Sequence, residues 1–174
     1  RNLPLPSLLK RIAVISSNDA AGYGDFCHQL KNNNNGLHFH VQLFPALMQG
    51  AQTPVSIIQS LQQIADDMNS WDLVVIVRGG GATTDLRNFD NYELASHCAQ
   101  FPLPIIAGIG HTRDISIVDM VVHTSVKTPT AAAEWIVGRM VVQAERINEL
   151  NERLKNAVKQ SIFGQQQRLG NLLQ

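Results

Sequence analysis

The sequence predicts an α/β protein built on a parallel sheet, and three observations carry that prediction. Apolar runs and helix-spaced segments alternate from residue 11 onward. Two of the runs, "WDLVVIV" (71–77) and "PLPIIAGIG" (102–110), are nearly continuous, as strands covered on both faces must be. Glycine and small polar residues gather immediately after the strands, where backbone needs unusual freedom or a close approach.

Taken in order, "RIAVISS" (11–17) reads as a first strand that ends in a polar turn. A helix is expected from about Gly24 to Asn33, stopped by "NNNNG". "LHFHVQLF" (37–44) alternates for most of its length, the pattern of a strand with one wet face; His38, His40 and Gln42 lie on that side. In "TPVSIIQSLQQIADDMN" (53–69), Thr53 is expected to cap a helix, with Pro54 as its first residue. The third strand follows, then helical spacing in "NFDNYELASHCAQF" (88–101), then the fourth strand. The order βαβαβαβ predicts a doubly wound, flavodoxin- or Rossmann-like sheet of four to five strands with helices on both faces. The alternating second strand belongs at an edge, which gives the order 2-1-3-4. Ligands in such sheets bind beyond the carboxyl ends of the strands, where the order reverses between the first and third.

From "TPTAAAEW" (128–135) the character changes. Thr128 can cap, Pro129 can begin a helix, and the alanines propagate it. Ile147, Leu150, Leu154, Val158 and Ile162 then recur at three- and four-residue steps among charged and amide side chains. One long amphipathic helix, the start of a coiled coil, is expected, with Gly164 and Gly170 weakening its end. The division expected is an α/β domain over residues 1–129 and this helix over 130–174.

Composition narrows the function. The chain has 174 residues, enough for a real core, with 44% hydrophobic and 16% charged residues, which excludes a disordered chain. No apolar run approaches the roughly 20 residues of a membrane span. Lys and Arg total 14, as do Asp and Glu, so bulk charge cannot by itself hold nucleic acid on this segment. Cys27 and Cys98 lack CxxC spacing and read as reduced thiols in a cytoplasmic setting. A chain that opens on Arg1, without a signal pattern, reads as a piece of a longer protein.

The chemistry is expected at three loops. Gly79, Gly80 and Gly81 follow the buried third strand and can point successive N–H groups at an anion. Arg78, just before them, offers a planar fork suited to a phosphodiester. Neither a P-loop nor a dinucleotide fingerprint is present. At the end of the fourth strand, His111 and Asp114 stand three apart where a helix should begin; a carboxylate there can orient an imidazole that moves protons near neutral pH. Asp25 follows the first strand, with Asp19 as its competitor, and spacing alone does not choose between them. A bland structural role exists for each: helix capping for the aspartates, a turn for the glycines, core packing for Phe89, a helix-start charge for Asp85, Asp90 and Glu93. What favours chemistry is that Asp25, Arg78, His111 and Asp114 come from three loops that the topology brings to one rim. Asp25, His111 and Asp114 could also ligate a divalent ion, although no zinc-like spacing occurs.

The set "RIAVISS…AA…GD", "VRGGG…DL..F", "P…GIGH..D…D" and "TPTAAAE", in this order, resembles the large subunit of bacterial exodeoxyribonuclease VII from about Leu5 to Glu134. The resemblance implies a nuclease that hydrolyses phosphodiester bonds of single-stranded DNA from either end and releases oligonucleotides. It implies catalytic roles for Asp25, Arg78, His111 and Asp114, phosphate binding by Gly79, Gly80 and Gly81, and no need of a divalent metal, with Mg²⁺ as the fallback. It also implies an OB-fold domain before this segment, absent from this chain, and a helical region after it that recruits a small subunit. Departures are Asp19 and Gly22-Tyr23-Gly24 in the first loop, Arg87 where tryptophan is common, and Thr112-Arg113 in the GHxxD loop. The alternative left open is a noncatalytic module that binds a nucleotide or phosphate as a regulatory signal.

Overall fold

The computed structural model describes residues 3–79, 83–109 and 115–172. Five strands, β1 (Arg11–Ser16), β2 (His40–Pro45), β3 (Leu73–Val77), β4 (Ile105–Gly108) and β5 (Thr124–Ser125), form one sheet in the order β2-β1-β3-β4-β5. All four pairings are parallel, so every connection is a crossover. The helices are α1 (Ala21–Lys31), α2 (Thr53–Asp66), α3 (Tyr92–Gln100), α4 (Ile117–Val121) and α5 (Pro129–Leu172), with short 3-10 turns at Met68–Ser70 and Thr83–Phe89.

The α/β architecture and the edge position of β2 agree with the sequence reading. β3 is buried at every residue, whereas β2 alternates, leaving His40 and Gln42 exposed. His40 is not idle there: its ring stacks on Trp71 at a centroid distance of 5.9 Å. One face of the sheet, through Ala13, Ile15, Val74, Ile76 and Ala107, packs with Ile57, Leu61 and Ile64 of α2 and Leu94 and Cys98 of α3. Strand alternation sends the equally buried Ile12, Val14, Leu73 and Val75 to the other face. The buried residues Phe26 and Leu30 of α1 and Ala132, Ala133 and Ile136 of α5 remain to cover it. These two helices run close together, with Gln29 Nε2 donating to Glu134 Oε1 at 3.4 Å.

Several boundaries differ from the sequence reading, each for a local reason. α1 begins at Ala21, three residues before the expected start at Gly24, so Gly22 lies in its first turn and not in a loop. α2 is capped by Gln52, and Thr53 is its first residue, with Pro54 still in the first turn, where its missing N–H is not needed. α3 begins at Tyr92 because Asn91 caps it, its side chain accepting from the Leu94 N–H at 3.0 Å. Phe89 is fully buried, which makes it core and removes it as a surface for stacking. α4 begins at Ile117, where Ser116 and Asp119 form a reciprocal capping box: the Ser116 N–H donates to Asp119 Oδ2 at 3.0 Å, and the Asp119 N–H to Ser116 Oγ at 3.2 Å. Thr128 caps α5 as expected, accepting from the Ala131 N–H at 3.1 Å. Gly164 does not end α5, which continues to Leu172.

The chain divides into two compact units, Arg1–Gly138 and Arg139–Gln174. In the second, Ile147, Leu150, Leu154, Val158 and Ile162 are all exposed, between 48% and 64%. An apolar stripe on a helix is the mark of a surface that other helices can cover.

At the amino edge of the sheet, Asp72 ties β1 to β3. Its carboxylate accepts from the N–H groups of Lys10 and Arg11 at 3.0 and 2.8 Å and from Arg11 Nη2 at 2.7 Å. Burial pushes the Asp72 carboxyl up, but these hydrogen bonds outweigh it and hold the group below its usual value of 3.8. A depressed carboxyl contributes stability that is complete above its unfolded pKa and is lost as pH falls through the folded one. Denaturant titrations of wild type and Asp72→Asn should therefore differ at neutral pH, with the variant weaker. The gap should close below about pH 4; a gap that persists in acid would refute the assignment.

A second expectation concerns the two glycines of α1. A Cβ on Gly22 would stand 2.8 Å from the Arg78 carbonyl oxygen and 2.9 Å from Gly79 Cα, whereas one on Gly24 meets nothing within 4 Å. Gly22→Ala should cost about 1–3 kcal/mol in chemical denaturation. Gly24→Ala should gain about 0.5–1 kcal/mol.

Candidate active site

The sheet sets the site. Ile15 of β1 lies opposite Phe44 of β2 on one side and Ile76 of β3 on the other. The three strands therefore end level, and their outgoing loops emerge side by side at the carboxyl edge. The order reverses here, since β1 is followed in the chain by its β2 neighbour and β2 by β3 on the far side.

A cavity of about 560 Å³ opens at this point, lined by Ser17, Asp19, Ala20 and Ala21 after β1, Leu47, Met48 and Gln49 after β2, and Arg78 and Gly79 after β3. Arg78 is only 5% exposed, yet it forms part of the cavity wall. Its N–H reaches toward the Gly108 carbonyl oxygen at 3.4 Å, linking the ends of β3 and β4.

The first turn of α1 is the second half of the site. A Cβ on Gly79 would lie 3.4 Å from the Gly22 nitrogen and 3.5 Å from the Ala21 nitrogen. Gly79 is thus pressed against the helix N-terminus, where backbone N–H groups lack intrahelical partners. The N-cap is Ala20, which makes no side-chain cap hydrogen bond. A helix start without a capping side chain, beside an arginine, is suited to an anion.

The aspartates take different places. Asp19 lines the cavity directly. Asp25 is exposed on α1, four residues after Ala21 and hence one turn along the same face. Asp25 is not among the residues that line the cavity. Gly80, Gly81, His111 and Asp114 lie outside the described residues. Asp90, read from the sequence only as a helix-start charge, instead accepts from the Ile117 N–H at 2.9 Å and ties the start of α3 to the start of α4. Among the described residues no group of three or more His, Cys, Asp or Glu comes together to hold a metal ion. Leu47 and Gln49 escaped the sequence reading, because nothing in a sequence marks which loop residues share a cavity.

The fold and this rim define an α/β protein with a cavity at the strand switch point. The profile of the family described as exonuclease VII, large subunit, matches residues 1–174, and the chain belongs to that family. It is 39% identical over 158 residues to the exodeoxyribonuclease 7 large subunit of a Cyanothece species, covering 91% of this chain and 36% of that protein. The protein of the same name from a Nostoc species is 38% identical, over 88% of this chain and 36% of its own length. That of Brevibacillus brevis is 33% identical, over 99% and 37%. The chain thus spans a little over a third of the curated relatives it matches.

The two aspartates can be separated by substitution. Should the site cleave DNA, Asp25→Asn in the full-length protein would lower that cleavage by about 100-fold or more, the scale for loss of a general acid–base or positioning group. Asp19→Asn should leave most of it. Rates measured with both variants at equal folded concentration decide the matter, and a reversed ranking would move the role to Asp19.

Proposed function

We propose that this chain carries the catalytic machinery of a nuclease that hydrolyses phosphodiester bonds in single-stranded DNA, working from both ends and releasing oligonucleotides. The name shared by its relatives supports the reading. The observation that carries it is the meeting of Arg78, Gly79 and the α1 N-terminus, which has no side-chain cap, at one cavity.

In this reading a backbone phosphate enters at the rim of β3. Arg78 and the amides of Gly79, Gly80 and Gly81 take the nonbridging oxygens and stabilise the charge that builds on them as water attacks phosphorus. His111 handles the proton: as base it takes one from the attacking water, as acid it gives one to the leaving oxygen, and attack by the imidazole itself is the covalent variant. Asp114 orients the ring and stabilises its charged form. Asp25 positions water or the histidine. The roles of His111 and Asp25 are interchangeable in this scheme.

No metal is required by this arrangement, with Mg²⁺ as the alternative if cleavage depends on it. The partner proposed is the small subunit, received by the helical region that α5 begins. The exposed stripe from Ile147 to Ile162 is the surface offered.

The test is cleavage of end-labelled single-stranded DNA in excess EDTA by full-length large subunit with its small partner. Wild type should cut. Arg78→Ala and His111→Ala should each fall by about 100-fold or more, as loss of a transition-state donor or proton carrier does. A wild type active only with Mg²⁺ would place Asp25, His111 and Asp114 around a metal. One that binds DNA and never cuts it would leave a phosphate-binding module.

A further inference from the structure

The cavity is larger than a phosphate requires. It crosses from the β3 loop over the β1 loop to the β2 loop, two strand spacings or about 10 Å. Its volume of about 560 Å³ lies within the range of pockets that take whole small molecules. Arg78, Gly79 and the α1 N-terminus occupy the β3 and β1 sides. The β2 side is different in kind: Leu47 and Gln49 carry no charge.

The loop that bears them is held firmly. The Ala46 N–H donates to the Ser16 carbonyl at 2.8 Å, the Leu47 N–H to Ser56 Oγ at 2.9 Å, and Ser60 Oγ to the Pro45 carbonyl at 3.0 Å. Ala46 and Met48 are 6% and 4% exposed and belong to the core. Their alternation with Leu47 and Gln49 turns the latter two outward; Leu47 is 55% exposed. A leucine fixed in the cavity wall, on a loop with three anchoring hydrogen bonds, offers cover to an apolar surface.

We propose that Leu47 and Gln49 form a nucleoside subsite, which receives the sugar and base attached to the phosphate held at Arg78. Leu47 covers an apolar face of the sugar or base. The Gln49 amide supplies one donor group and one acceptor to the base edge, and its rotation lets it serve different bases. Such a wall is sequence-tolerant, because every nucleotide presents a comparable apolar face. The proposal rests on the nuclease reading only for the identity of the strand, and direct binding tests it without cleavage.

The experiment uses full-length large subunit with its small partner and a fluorescein-labelled oligothymidylate. Binding is followed by anisotropy with each variant placed on a His111→Ala background, which should not cut, and cleavage by KM and kcat on the wild-type background. Leu47→Ala should weaken binding and raise KM by about tenfold, the effect of removing methylene contacts from an apolar wall, with kcat nearly unchanged. Leu47→Phe should restore the affinity, since an aromatic ring also covers a base. Gln49→Ala should weaken binding less. Unchanged affinity in both alanine variants, with melting midpoints like wild type, overturns the subsite, as does a wild type that binds no oligonucleotide. If wild type binds but does not cut, the nuclease reading fails, and the Leu47 variants still decide the subsite.

Discussion

Everything at the carboxyl edge depends on one close approach of backbone to backbone. The first turn of α1 sits on the exit of β3 so tightly that the position of a Gly22 Cβ is already taken by the Arg78 carbonyl, Gly79 Cα and Pro129 Cγ. Only glycine fits such a contact. The approach brings the N–H groups at the start of α1 to Gly79 and leaves Arg78 in the cavity wall. A parallel constraint acts at the end of β4, where a Cβ on Gly108 would stand 3.1 Å from the Thr128 carbonyl oxygen. The exits of β3 and β4 are thus each packed against the beginning of a helix. Polar groups of helix starts and strand ends are thereby gathered on one rim.

The sheet was legible because its signals are local. A fully buried strand must be apolar at every position, as Leu73–Val77 is, and an edge strand must alternate, as His40–Pro45 does. The long C-terminal helix was legible for the same reason, through its proline start and repeating apolar spacing. The start of α1 was not. Gly22 looks like a loop residue by propensity, and the reason it stands inside a helix is a contact with residues 56 and more positions away. α4 and β5, of five and two residues, are too short to show a period. At the site, Arg78 and Gly79 could be chosen because their residue types are unusual after an apolar strand. Asp19 and Asp25 could not be ranked, since which aspartate lines a cavity and which rides on a helix depends on where the helix begins. Leu47 was invisible for a different reason: an exposed leucine is unremarkable until the fold shows what it faces.

Charge constrains how such a rim can hold a strand. With 14 basic and 14 acidic residues, the chain offers no excess of cations to replace counterions along a nucleic-acid backbone. If a strand binds here, the affinity must come from few, directional contacts: a guanidinium, backbone amides at a helix start and an uncharged wall. Contacts of that kind position one phosphate well and grip a long strand poorly. On the proposed reading, length-dependent grip therefore falls to other parts of the assembly, and the family relatives have room for it, since this chain matches only 36% of the Cyanothece protein. Separating grip from positioning has a mechanistic consequence. A rim that bound the strand strongly by itself would stabilise substrate and transition state alike, which lowers KM without speeding the chemical step. On the proposed reading, a neutral rim whose buried Arg78 and Gly79 amide meet the reacting phosphate can reserve its electrostatic effect for the charge that appears only as the bond breaks.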